Sequence, residues 1–142
     1  MKYSTPVTEK DARAFGNSLA ISTKTSVEIC RALRNMPYTK AKQFLSRVMN
    51  EEVPVPFLRY KHNVGHRKGP LAAGRYPFKA SRGILEILES AAANAANKGL
   101  AVGNLVVNHI SAHKGPTTRR YGRNYGKAKR THIQIVLREV KK

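Results

Sequence analysis

Five histidines, eight acidic residues and a single cysteine make up most of the inventory from which this 142-residue chain could build a reactive site. His62 and His66 stand four apart, and His109, His113 and His132 fall in one C-terminal stretch. A zinc site needs three or four such ligands converging. The first pair lies among glycines, off any helix, and the second group has no Cys, Asp or Glu beside it, so no metal site is expected. Gly69 and Gly74 have the GxxxxG spacing of a phosphate loop. Arg75-Tyr76 then follow where that motif needs Lys and Ser or Thr, and no apolar strand precedes it. Glu86 and Glu89 share a helical pattern in which i,i+3 or i,i+4 pairs, for instance with Arg82, explain them better than a catalytic dyad does. No Ser/His/Asp set can be assembled. Catalytic residues, cofactors and small-molecule substrates are therefore not expected, and Cys30, in an apolar helical pattern, reads as a small buried hydrophobe in a reducing compartment.

The chemistry this chain does offer is cationic. Lys and Arg number 27 against 8 Asp and Glu, a net charge of +19 with His neutral, and the isoelectric point is about 10.7. The cations form two clusters. Arg59, Lys61, Arg67, Lys68, Arg75, Lys79 and Arg82, with His62, His66 and Tyr76 among them, occupy a stretch with no acid between Glu52 and Glu86. Lys114, Arg119, Arg120, Arg123, Lys127, Lys129 and Arg130 occupy another, with none between Glu89 and Glu139. Such clusters neutralise phosphates and release counterions. Interleaved glycines let a backbone approach closely, and Tyr60, Tyr76, Tyr121 and Tyr125 are candidate stacking platforms. A membrane partner is disfavoured, because the sequence has neither a long apolar run nor an amphipathic helix with a basic face opposite Trp or Phe. The N-terminal MKYSTPVTEKD has no apolar core of a signal peptide, which predicts a cytoplasmic protein.

The second cluster sits in residues 102–140, VGNLVVNHISAHKGPTTRRYGRNYGKAKRTHIQIVLREV. Its first arm, residues 105–113, is rich in β-formers, with Leu105 and Val107 on one face and Val106, Asn108, Ile110 and Ala112 on the other. Its second arm alternates cleanly, Thr131, Ile133, Ile135 and Leu137 on one side and His132, Gln134 and Arg138 on the other. Gly115-Pro116, Gly122 and Gly126 lie between, where a ladder must bend or turn. One long antiparallel hairpin is predicted. With roughly 17 residues per arm at about 3.3 Å each, it reaches on the order of 50 Å, against a radius of gyration near 13 Å for a body of about 100 residues. Its tip should stand clear of the body, and a ribbon so charged needs an anionic surrounding, since an isolated two-stranded ribbon is marginal.

The remaining elements follow from periodicity. Residues 1–10 read as an extended arm with Lys2, Tyr3, Pro6 and Lys10. Residues 11–22 read as an edge strand with Ala12, Ala14, Leu19 and Ile21 inward and a bulge at Gly16-Asn17. A helix is predicted over 22–35, with Val27, Ile29, Cys30 and Leu33 apolar and Thr25 and Glu28 as a capping box. A second covers 39–51, with Thr39 as N-cap and Ala41, Phe44, Leu45 and Val48 inward. Pro54 and Pro56 make 53–59 an extended connector, and a Gly-rich basic loop leads to Pro77. A third helix runs from 77 to 98, with Ile84, Ile87, Leu88, Ala91 and Ala95 inward and Gly99 just beyond its end. The expectation is a single α+β domain: three helices on a small antiparallel sheet, an arm over 1–10, a body over 11–101 with its basic loop at 59–79, and a hairpin over 102–140 whose base joins the body sheet.

AISTKTSVEICRALR, KHNVGHRKG, GRYPFKAS, LESAAANAANKGL, and NHISAHKGP followed by THIQIVLREV together resemble the ribosomal protein L22 family of the large subunit, in its archaeal and eukaryotic branch. The resemblance spans nearly all of the chain after residue 10. It implies a body on the outer surface of the large subunit, and a hairpin that passes through ribosomal RNA to line the nascent-peptide exit tunnel. It also implies a non-enzymatic role in assembly, RNA compaction and contact with the nascent chain. The partners implied are large-subunit ribosomal RNA, other large-subunit proteins and the nascent polypeptide, with no membrane, metal or cofactor. Gly115-Pro116 matches the bend of the ascending arm, His132 to Leu137 the descending strand, and Arg120-Tyr121-Gly122-Arg123 the basic Gly-Arg element of the tip. Arg120, Tyr121, Gly122, Arg123, Asn124 and Tyr125 would then face the tunnel. The tip is several residues shorter than the family pattern and lacks its Met-Pro pair. On the residues alone, a basic β-ribbon that bends DNA or binds nucleic acid generally is the rival reading. Architectural proteins of that kind are usually symmetric dimers, nothing in this sequence marks a dimer face, and a second basic surface on the body suits folded RNA.

Overall fold

The structure, a computed structural model, describes residues 4–6, 8–123 and 125–140. Lys2 and Tyr3 of the predicted arm and Asn124 of the predicted tip lie outside the described residues. In chain order the elements are β1 (Asp11–Leu19), α1 (Thr23–Leu33), α2 (Tyr38–Met49), β2 (Val55–Pro56), β3 (Gly74–Arg75), α3 (Phe78–Asn97), β4 (Leu105–Lys114), β5 (Thr118–Arg120), β6 (Gly126–Ala128) and β7 (Thr131–Glu139). A single 3-10 turn at Val102–Asn104 precedes β4.

The alternating C-terminal strand becomes the centre of the sheet. β7 pairs antiparallel with β1 on one edge and β4 on the other, in the order β1-β7-β4. Ile133, Ile135 and Leu137 are buried with Ala12 and Ala14 of β1 and with Leu105, Val107 and Ile110 of β4, against Ile84, Leu88 and Ala91 of α3 and Ile29 and Leu33 of α1. The predicted α+β architecture is therefore present. The face of β4 is not as simple alternation placed it. Val107 pairs with Leu137 but His109 pairs with Val136, so Asn108 is an extra residue, and this bulge returns Ile110 to the face of Leu105 and Val107.

Both edges of the sheet are covered in part, as exposed strand edges require. Along β4, the link between α1 and α2 exchanges backbone bonds with Val107: Asn35 N–H donates to its carbonyl at 3.0 Å, and its N–H donates to Met36 at 2.9 Å. Along β1, Asn94 of α3 and Lys98 just beyond it donate to the Arg13 and Asp11 carbonyls. The predicted β1 bulge is found between Gly16 and Leu19. Gly16 is set by packing, because a Cβ there would lie 1.9 Å from Ile87 Cδ1. Opposite the core, Ser4 Oγ lies 2.9 Å from His109 Nε2 and donates to Gln134, so described residues of the N-terminal arm lie on the outer sheet face.

Helix ends depart from the sequence reading at their N-termini. Ser22 rather than Thr25 precedes α1, Pro37 rather than Thr39 precedes α2, and neither supplies a side-chain cap. Glu28 makes no capping box; it is buried and bonded elsewhere. The third helix ends as Gly99 predicts. Gly99 has φ +74°, its N–H bonds to Ala96, and Leu100 N–H bonds back to Ala95, a Schellman closure.

The hairpin is divided. The β4–β7 ladder ends at Lys114 opposite Thr131, Gly115 N–H donates to the Arg130 carbonyl at 2.8 Å, and pairing resumes only between β5 and β6. β1 accompanies β7 from Arg138 to Thr131, so that half of the hairpin is body. Beyond that half the hairpin forms a two-stranded ribbon of its own, with Thr118–Arg120 paired against Gly126–Ala128. Beyond the sheet each arm has roughly eight residues, about 25 Å of extended chain and half the length expected from the sequence. The ribbon's Arg119, Arg120 and Lys127 lie near enough to the body to line hollows with Tyr60 and Lys79.

Candidate nucleic-acid interface

The first basic cluster is folded around short backbone pairings. β2 pairs with β3, and His66 bridges Ala73, so the loop forms a small tongue. Several of its arginines are partly used inside that tongue. Arg67 donates to the Gly74 carbonyl and lies 5.0 Å from the Tyr76 ring centre, and Arg75 lies over Phe57 at 5.8 Å. Lys61, His62, Lys68 and Lys79 are exposed, and Arg82 pairs with Glu86 at 3.4 Å. Glu89, by contrast, reaches across to Lys42 of α2 at 2.8 Å.

Glu28 fixes where this tongue begins. Its carboxylate accepts the backbone N–H groups of Leu58, Arg59 and Tyr60 at 3.2, 2.8 and 2.7 Å. The Tyr60 ring so placed has Arg59 on one approach at 5.4 Å and Lys24 on another at 5.6 Å. Cation–π contacts of this kind hold both cations against the ring without neutralising their charge.

The second cluster meets the body here. Lys114, Thr117, Arg119, Lys127, Lys129 and Arg130 face Ser22, Thr23, Lys24 and Tyr60 across a cleft of about 790 Å³. A smaller hollow of about 300 Å³ continues from it, adding Lys79 and Arg120 to Lys127, Lys129 and Arg130. Neither lining contains a carboxylate, and none of these cations forms an ion pair among the described residues. The structure therefore unites five of the predicted second-cluster residues, and brings Lys79 and Arg120 beside them. It holds His62, His66, Lys61 and Lys68 apart on the tongue, while Arg123, Tyr121 and Tyr125 are exposed at the ribbon's end, the tyrosines by 81% and 90%.

Sequence reasoning missed Lys24 and Glu28. A signal for Lys24 was present: no acid stands in the first turn of α1, α2 or α3, and Lys24, Lys40 and Lys79 stand there instead, although a helix N-terminus favours negative charge. The histidines are used singly. His132 Nδ1 accepts the Ser18 N–H and stacks on Phe15, His113 bonds Ser111, and burial, with Arg34 and His113 nearby, pushes His109 below its ordinary pKa. Among the described residues no three His, Cys, Asp or Glu side chains converge. Nor, among them, is any helix long and apolar enough to cross a membrane.

Residues 14–138 match the family model for ribosomal protein L22p/L17e. The chain belongs to that family. The matched span begins in β1 and ends in β7, so the L22p/L17e match contains both basic clusters, the cleft and the divided hairpin. Among its relatives, the large ribosomal subunit protein uL22 of Methanosphaera stadtmanae is 47% identical, over 96% of this chain and 94% of its own. The proteins of the same name from Methanopyrus kandleri and Methanocaldococcus jannaschii are each 45% identical. They cover 96% and 98% of this chain and 94% and 95% of their own.

Proposed function

We propose that this chain is a non-enzymatic structural constituent of the large ribosomal subunit in the cytoplasm, holding large-subunit ribosomal RNA and neighbouring ribosomal proteins. In this reading the tongue cations Arg59, Lys61, Arg67, Lys68, Arg75 and Lys79 and the hairpin cations bind phosphates. The ribbon runs through RNA so that Arg120 to Tyr125 line the nascent-peptide exit tunnel. The domain is read as an arm over 1–10, a body over 11–101 and a hairpin over 102–140 whose base, β4 and β7, belongs to the body sheet. The observation that carries the reading is the 115–130 ribbon: an exposed two-stranded extension whose seven-cation cluster, counted from Lys114, has no acid within it. In water such a ribbon repels itself. Surrounded by phosphates it gains counterion-release free energy at each contact.

Co-sedimentation tests it. In low-salt lysate the chain should travel with large subunits and cross-link to their RNA. Free chain, or equal affinity for duplex DNA and folded ribosomal RNA at matched salt, would contradict it.

A further inference from the structure

We infer that the cleft between body and hairpin neck is a slot for one single-stranded segment of RNA, gripped from both sides. This rests on the RNA-binding reading above and adds a site that includes Lys24 and Tyr60. The cations come from two facing walls, Lys24 from the α1 side and Lys127, Lys129 and Arg130 from the ribbon side. A ligand that satisfies both walls has to be thin enough to pass between them. The volume of about 790 Å³ falls in the range of roughly 300–1,000 Å³ that small-molecule sites occupy, which suits a few linked nucleotides better than the bulk of a duplex. Tyr60, half-buried against the core with Lys24 and Arg59 at 5.6 and 5.4 Å from its ring centre, stands in the slot's wall. A cationic groove with an aromatic ring beside it is the arrangement by which single strands are held without reading their sequence.

The body wall is fixed before any ligand arrives. Glu28 pins the Leu58 to Tyr60 backbone by three hydrogen bonds. Opposite, Gly115 lets the two ribbon strands close at the neck, where a Cβ would stand 3.0 Å from the Arg130 carbonyl carbon. The smaller hollow beyond, with Lys79 and Arg120, continues the path of the strand.

Lysine acylation footprinting of the full chain tests this, with a single-stranded oligouridylate, an A-form RNA duplex of equal length and extracted large-subunit RNA as probes. The slot predicts that oligouridylate and extracted RNA protect Lys24 together with Lys127 and Lys129, severalfold, and that the duplex leaves Lys24 reactive. Ribbon lysines protected while Lys24 stays reactive would overturn the slot but keep the RNA-binding reading. So would protection of Lys24 that appears only in intact subunits and survives nuclease, since a protein segment would then fill it. No protection by any probe would overturn both. Lys24→Ala, an exposed change, should reduce the salt slope of oligouridylate binding by about 0.7; Lys24→Arg should restore it.

Discussion

Glu28 and Tyr60, thirty-two positions apart, are joined by a 2.7 Å hydrogen bond from the Tyr60 backbone N–H to the buried Glu28 carboxylate. Two further N–H groups meet the same carboxylate, so a side chain of α1 shapes the start of the basic tongue and one wall of the cationic cleft. Glu28→Ala should cost about 1–3 kcal/mol, because charged acceptors are expensive to remove from their donors. Amide exchange at Leu58, Arg59 and Tyr60 should quicken, and the α3 amides should change little. Uniform quickening across the body would contradict a local role.

Gly16 and Ile87 form a second coupled pair. Gly16→Ala places a methyl on Ile87 Cδ1, and overpacking of this kind costs about 1–3 kcal/mol. Ile87→Val removes that atom. The double variant should therefore be more stable than the sum of the single losses predicts, a coupling read by urea denaturation. Strict additivity would show that the two residues do not meet.

Acid should weaken the seam between the start of β1 and the end of β7. Arg138 donates to Asp11 from Nε at 2.7 Å and from Nη2 at 3.0 Å. Those bonds, helped by Thr8 and opposed by burial, hold the Asp11 carboxyl down at about 2 from 3.8. A carboxyl with a lowered folded-state pKa contributes stability that is fully present above its unfolded value. That contribution, on the order of 2 kcal/mol here, is lost as pH falls from about 4 toward 2. Arg138→Leu should be less stable than the parent at pH 6, and the gap should shrink toward pH 2. A gap independent of pH would refute the pairing.

The ribbon and the core should respond oppositely to substitution. Replacing Arg119, Arg120 and Arg123 by Ala should leave thermal unfolding of the free protein within about 0.5 kcal/mol, as for exposed sites without partners. Leu88→Ala, fully buried in α3, should cost about 2–5 kcal/mol. Equal shifts would mean that the ribbon is part of the core.

Sequence made the architecture legible wherever burial imposes a period. Ile133, Ile135 and Leu137 announce a strand, and Ile84 to Ala95 a helix, because each pattern repeats along one face. What stayed hidden is non-local. A period-two count cannot see the extra residue at Asn108, so Ile110 was assigned to the wrong face. Glu28 sits where a capping box would use it, and only its distant contact with residues 58–60 shows otherwise. The reach of the ribbon was overestimated because nothing within residues 102–140 says that β1 runs beside β7 along its whole length. Lys24 and Lys127 are 103 positions apart in the sequence, and only the fold makes them neighbours.

If the two cationic clusters hold ribosomal RNA, the salt dependence of binding shows it. Full-length chain titrated with large-subunit RNA should show log affinity falling linearly with log salt, with a slope of about −4 or steeper, as six or more phosphate contacts require. Removing the ribbon arginines and the tongue lysines should flatten it further with each cation lost. A shallow slope that is unchanged by these substitutions would contradict the account.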